Sequence, residues 1–125
     1  MIIRPEDPAD IAAIRAVTIS AFKDHPHSDQ TEHLIVDRLR QANALSVSLV
    51  AVVDDEVVGH IAFSPVALSD GSKGWFGLGP VSVLPAFQGK GIGGALIRQG
   101  LEMLRDQAAA GCVVMGDPDL YRKFG

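Results

Sequence analysis

Positions 81–97, Val81-Ser82-Val83-Leu84-Pro85-Ala86-Phe87-Gln88-Gly89-Lys90-Gly91-Ile92-Gly93-Gly94-Ala95-Leu96-Ile97, constrain this chain more than any other stretch. A β-branched run, a glycine-dense loop and an apolar helical period follow one another, which predicts strand, loop and helix in that order. A bare-backbone loop that feeds a helix start gathers unpaired N–H groups and the positive end of the helix dipole around one point. Such a point binds phosphate. Glycines at positions 89, 91, 93 and 94 exceed what a tight turn needs, so the loop reads as a ligand cradle rather than a connection.

Composition narrows the ligand and the setting. The 125 residues suit one domain, 1–125, with 47% hydrophobic residues to fill its core. A net charge of −4 offers no broad field for nucleic acid, so the lysines and arginines act locally. A single cysteine, Cys112, excludes an internal disulfide and fits a reducing compartment. No stretch is apolar enough for a membrane span, and Met1-Ile2-Ile3-Arg4-Pro5 does not open like a secretory signal. A cytoplasmic protein is the expectation.

Elsewhere the pattern predicts a mixed α/β chain of order β-α-α-β-β-β-α-β-α. Ile2-Ile3-Arg4 forms a short strand, and Asp7 with Pro8 opens a helix whose Ile11, Ala12, Ile14, Ile19 and Phe22 face inward. His25-Pro26-His27-Ser28-Asp29 breaks the chain, and Asp29 with Glu32 starts a second helix with Leu34, Ile35 and Leu39 inside, fraying near Asn43. The runs 46–53 and 57–63, joined at Asp54-Asp55-Glu56, read as an antiparallel hairpin. In the next strand, Trp75 to Val83, Pro80 cannot donate to a ladder, so a bulge or splayed edge is expected. The helix from Gly91 to about Ala110 buries Ile92, Leu96, Ile97, Leu101 and Leu104 and stops at Gly111; the strand Cys112–Met115 follows, and Asp117-Pro118 opens a last helix with Leu120, Tyr121 and Phe124.

Three phosphate-loop chemistries compete for Gln88 to Gly94. A nucleotide P-loop fails, because Leu84 stands six before Lys90 where glycine is needed and no Ser or Thr follows to ligate magnesium. A dinucleotide loop matches the spacing Gly89, Gly91, Gly94, with Asp117 near the place of a ribose-binding acid. Against it, five residues separate the strand from the glycines, and eight residues follow Asp117. The third reading takes Gln88-x-x-Gly91-x-Gly93 as the motif.

On that motif, on the helix pair, hairpin and proline-disturbed strand before it, and on Leu120-Tyr121-Arg122-Lys123-Phe124-Gly125 after it, the chain resembles the GNAT-type N-acetyltransferases. Within the family it looks most like a bacterial predicted-acetyltransferase subgroup. The resemblance implies an acetyl-CoA cosubstrate and transfer of its acetyl group to a primary amine by direct attack on the thioester. The acceptor implied is a small molecule or a peptide, with no nucleic acid, membrane or metal.

Val81, Ser82 and Val83 would pair with the pantetheine amides as an extra strand, their edge freed by the disturbance at Pro80. Gln88, Gly89, Lys90, Gly91, Ile92, Gly93 and Gly94 would wrap the pyrophosphate through backbone N–H groups, with charge from Lys90 and Arg98. A backbone N–H near Val83 would stabilise the oxyanion, and Tyr121 is the candidate acid for the departing thiolate. Glu32, His60 or a water relay could serve as base. Family members continue past this Phe-Gly with further strands, so the expectation is a C-terminally short copy of the fold, with Cys112–Met115 as an exposed edge and a homodimer as the consequence. A coenzyme A-binding module without catalysis and a dinucleotide-binding fragment are the alternatives.

Several other residues have plainer readings. Cys112 in an apolar strand behaves as a small buried hydrophobe. His25 and His27 lack the companions of a zinc site. Arg98, Glu102, Arg105 and Asp106 form a solvated helix face.

Overall fold

The computed structural model describes residues 1–23, 31–66, 74–107 and 109–114. β1 (Ile2–Pro5) leads through a 3₁₀ turn (Pro8–Asp10) into α1 (Ile11–Phe22); α2 (Glu32–Gln41), β2 (Val47–Val53), β3 (Glu56–Pro65) and β4 (Trp75–Val83) follow. A second 3₁₀ turn (Pro85–Phe87), α3 (Ile92–Asp106) and β5 (Gly111–Val114) complete the order. The expected last helix with Tyr121, and likewise His25, His27, Asp29, Met115 and Asp117, lie outside the described residues.

Local chemistry sets the element ends. The Asp7 carboxylate accepts from Ala9 N at 3.2 Å while Asp10 accepts from Asp7 N at 2.7 Å, a reciprocal cap on the turn that enters α1. Arg4 grips the same Asp10 at 2.7 and 3.1 Å and holds its carboxyl below the usual range, tying β1 to the helix start. At the end of α2, Asn43 takes a left-handed φ of 54°, and the bonds from Asn43 N to Arg40 O (3.1 Å) and Ala44 N to Leu39 O (2.8 Å) close a Schellman motif. Asp54 and Asp55, at φ 50° and 65°, make the two-residue turn between β2 and β3, a backbone that matches the strand twist.

The strands lie in the order β1-β2-β3-β4-β5, antiparallel through β4, with β5 parallel to β4. The β4-to-β5 connection needs a crossover, and α3 supplies it. Leu49, Ile61, Phe63, Leu78 and Val81 on one sheet face meet Ile92, Leu96, Ile97 and Leu104 of α3. α1 and α2 cover the other face, where Ile14, Val36 and Val50 form a smaller cluster.

The expected inward faces of the first two helices need correction. In α1 the buried residues are Ile14, Val17 and Thr18, whereas Ile11 and Ile19 are 36% and 43% exposed. In α2 Val36 is buried, while Leu34 and Ile35 are 37% and 39% exposed. Three apolar neighbours in a row sit about 100° apart around a helix, so only one of them can meet the sheet. α2 begins at Glu32 after Thr31 rather than at an Asp29 cap, and α3 ends at Asp106, with Gly111 opening β5 instead of closing the helix.

α3 approaches the sheet most closely at Gly100, where an added Cβ would lie 2.2 Å from Phe63 Cε2 and 2.6 Å from Cζ. Phe63 is fully buried, so its ring has nowhere to move. Alanine gains about 1 kcal/mol of helix propensity over glycine, but overpacking here costs more, so Gly100→Ala should be net destabilising by about 1–2 kcal/mol. Urea denaturation of the two proteins checks this.

Candidate functional site

Among the described residues the β4–β5 ladder joins Trp75–Leu78 to Gly111–Val114, while β4 stays paired with β3 as far as Val83. From Gly79 onward the outer edge of β4 is therefore open among the described residues. The bulge expected from Pro80, which sits in β4 after Gly79, is present as a register shift between Ile61 and Phe63.

Backbone alternation then decides which groups face the opening. Leu84 N donates to Val58 O at 2.9 Å, so Leu84, and two residues back Ser82, point their amides at β3. Val81 and Val83 point theirs outward. The Val83 carbonyl is taken by the Gln88 side chain, whose Nε2 donates to it at 3.0 Å. Gln88 thus anchors the loop to the strand end, and the Val83 N–H with both polar groups of Val81 remains for an added strand.

Beyond Gln88 the chain turns through Gly89 and Gly91, at φ 77° and 82°. A Cβ at either position would meet nothing within 4 Å, so glycine is there for backbone shape and open space rather than for packing. Gly93 and Gly94 were expected to share this role but lie inside α3 with helical backbone, because the helix begins at Ile92. No side chain caps α3, and its ladder opens with Ala95 N donating to Gly91 O at 3.0 Å. The amides of the first turn, including those of Ile92, Gly93 and Gly94, face the opening with the positive end of a 15-residue helix behind them. Lys90 is exposed, its Nζ 5.7 Å from the Phe87 ring centroid.

The structure thus brings together Val81, Val83, Gln88, Gly89, Lys90, Gly91, Ile92, Gly93 and Gly94 through their backbones. Ile92 and Ser82 are buried, and each side chain turns away from the opening. The Ser82 hydroxyl reaches Thr18 Oγ1 at 3.5 Å under α1. Cys112 behaves as the small hydrophobe expected, its thiol pushed up by burial.

The two candidate bases part company. Glu32 lines a cavity of about 170 Å³ with Thr18, Ile19, Phe22, Lys23 and His33. His60 is fully buried on the α1/α2 face. Its Nε2 lies 2.8 Å from Ser48 Oγ, whose proton goes to Glu6, and Glu6 is bound by Arg40 at 2.9 and 3.1 Å. Sequence reading missed Glu6, Arg40 and Ser48 as His60's company, because they come from β1, α2 and β2 and meet only in the folded sheet.

The matched family and relatives agree with this geometry. The model of the acetyltransferase (GNAT) family matches residues 12–125, and the chain belongs to that family. N-acetyltransferase YhbS of Escherichia coli is 36% identical over 126 residues, spanning 100% of this chain and 72% of the relative. Among solved structures, a GNAT family acetyltransferase from Brucella melitensis in complex with acetyl-CoA matches at 59% identity with a TM-score of 0.94, covering 99% of this chain and 80% of that one. The YhbS structure with CoA gives 35% identity and a TM-score of 0.89, over 99% of this chain and 67% of that one. The mixed α/β fold of the described residues is that of these acetyltransferases.

Burial carries His60 from its ordinary value of 6.5 down to about 4, with Arg40 adding to the fall and Glu6 opposing it. Above pH 6.5 the ring is neutral in folded and unfolded chains alike. Below it the unfolded chain takes a proton that the folded one refuses, so stability is lost as pH falls from 6.5 toward 4. The loss attributable to His60 should reach about 2 kcal/mol near pH 5. Urea denaturation near pH 7 and near pH 5 should show that difference shrinking in His60→Gln.

Proposed function

We propose that this chain binds acetyl-CoA along the open edge of β4 and at the start of α3, and passes the acetyl group to a primary amine of a small molecule or peptide. The observation that carries this reading is the continuity of two complementary surfaces. The outward amides of Val81 and Val83 suit a chain of amides such as pantetheine. They lead through Gln88 directly to the uncapped helix start, which suits a pyrophosphate. The complexes of the Brucella and Escherichia proteins with acetyl-CoA and CoA support the same assignment.

Acetyl-CoA would supply the reactive thioester, and this chain's groups would orient it. Glycines 89 and 91 let the loop backbone turn its N–H groups toward the phosphates, with Lys90 adding charge at the rim. An outward N–H of the Val81–Val83 edge would donate to the carbonyl oxygen as it gains charge. Tyr121 is proposed as the acid that protonates the departing thiolate. A phenol of pKa about 10 giving a proton to a thiolate whose acid lies near 8.5 is slightly uphill, so its contribution is modest.

Acetyl-CoA and CoA should each raise the melting temperature and NAD should not; lack of stabilisation by either coenzyme A species rejects the assignment. Thiol release on addition of an amine panel then separates an enzyme from a binding module. Tyr121→Phe should lower turnover about tenfold or more while leaving acetyl-CoA affinity within about twofold. Equal turnover in the two proteins removes Tyr121 from the mechanism.

A further inference from the structure

Between Leu84 and Gly91 the only charged residue is Lys90, and it stands on the least constrained backbone of the loop. Its neighbours Gly89 and Gly91 hold left-handed φ values of 77° and 82°, and a Cβ on either would meet nothing within 4 Å. Lys90 is itself exposed, two positions before the first residue of α3. A lysine has more rotamer freedom to lose than most side chains, so an unrestrained Lys90 would spend much of its attraction for a phosphate on being ordered.

Phe87 supplies a restraint. Lys90 Nζ lies 5.7 Å from the centroid of its ring, within reach of a cation–π contact. The ring in turn is held on both sides of its own backbone. Phe87 N donates to Leu84 O at 2.8 Å, closing the 3₁₀ turn, and the next residue, Gln88, donates from its side chain to Val83 O at 3.0 Å. Below, the half-buried Phe87 side chain packs against the apolar cluster that joins α3 to the sheet. A mobile cation is thereby tethered to an anchored ring.

We propose that Phe87 is a positioning residue for the cosubstrate: its ring holds the Lys90 ammonium beside the loop that leads into α3, so that the phosphates of acetyl-CoA meet a cation already in place. This role rests on the acetyl-CoA site proposed above. A ring suits the task better than a carboxylate. An acid would bind the ammonium too, but its charge would repel the incoming phosphates, whereas a quadrupole attracts the cation and adds no net negative charge to the site. If Phe87 were only an apolar plug beneath the loop, its loss would weaken binding to the same extent whether or not residue 90 carried a charge.

That difference is the test, read by calorimetric titration of acetyl-CoA into the full chain at low salt. Lys90→Met should weaken binding about tenfold. Phe87→Leu, which keeps an apolar side chain and removes the ring, should weaken it about two- to fivefold. In the Lys90→Met background the same Phe87→Leu change should have an effect within about 1.5-fold, because the partner of the ring is gone. Lys90→Arg, which keeps a cation for the ring, should retain the sensitivity to Phe87→Leu. Phe87→Trp offers the better cation partner and should bind at least as tightly as the unmodified chain; weaker binding counts against the role whether or not Phe87→Leu folds. Unchanged or tighter binding in Phe87→Leu, or an equal loss in the Lys90→Met background, overturns the positioning role and leaves the acetyl-CoA site standing. Failure of the unmodified chain to bind acetyl-CoA overturns both.

Discussion

Every strand edge leaves N–H and C=O groups that need partners, and this molecule opens such an edge beside its own glycine loop. Among the described residues β5 accompanies β4 through Leu78, while β3 holds β4 in place as far as Val83. The outcome is a strand held by β3 whose Val81 and Val83 amides point outward and are unpaired among the described residues. A free edge on an unsupported strand would be an aggregation hazard; here it leads into Gln88 and a helix start, which makes it a docking track. Gln88 joins the two by donating to the Val83 carbonyl, so the loop cannot swing independently of the strand.

The two sheet faces divide the work. The α3 face is built for apolar contact, with Leu49, Ile61, Phe63 and Val81 beneath Ile92, Leu96 and Ile97. The close approach at Gly100 seats the helix on Phe63 and so helps fix where its N-terminus lies relative to β4. Burial on that face thus positions the anion-binding end of α3. The opposite face retains less apolar contact and instead carries Thr18, Ser82, His60 and Ser48.

The strand–loop–helix unit was legible in the sequence because its signals are local: glycine spacing, a β-branched run and a helical period within positions 81–97. Pro80 announced the disturbed edge for the same reason, since a missing donor is a property of one residue. The inward faces of α1 and α2 were not legible. Leu34-Ile35-Val36 offers three apolar candidates in a row, and only packing against the sheet selects Val36. Gly93 and Gly94 misled because glycine composition does not say where a loop stops and a helix starts. The Glu6–Ser48–His60 chain was beyond sequence reading, because its members are 42 and 12 positions apart and acquire meaning only through strand register.

That register also explains how a costly residue is tolerated. A histidine inside a sheet loses hydration on all sides, and its neutral form is retained only while one nitrogen donates and the other can accept. Glu6 settles the first condition at a distance, by claiming the Ser48 proton and so forcing Ser48 to accept from Nε2. Arg40 in turn holds Glu6 at the rim, bonding both carboxylate oxygens from the last turn of α2. A surface ion pair thereby sets the tautomer of a ring it does not touch. The other nitrogen, Nδ1, is buried with no hydrogen-bond partner among the described residues, so the Ser48 contact at Nε2 is what orients the ring.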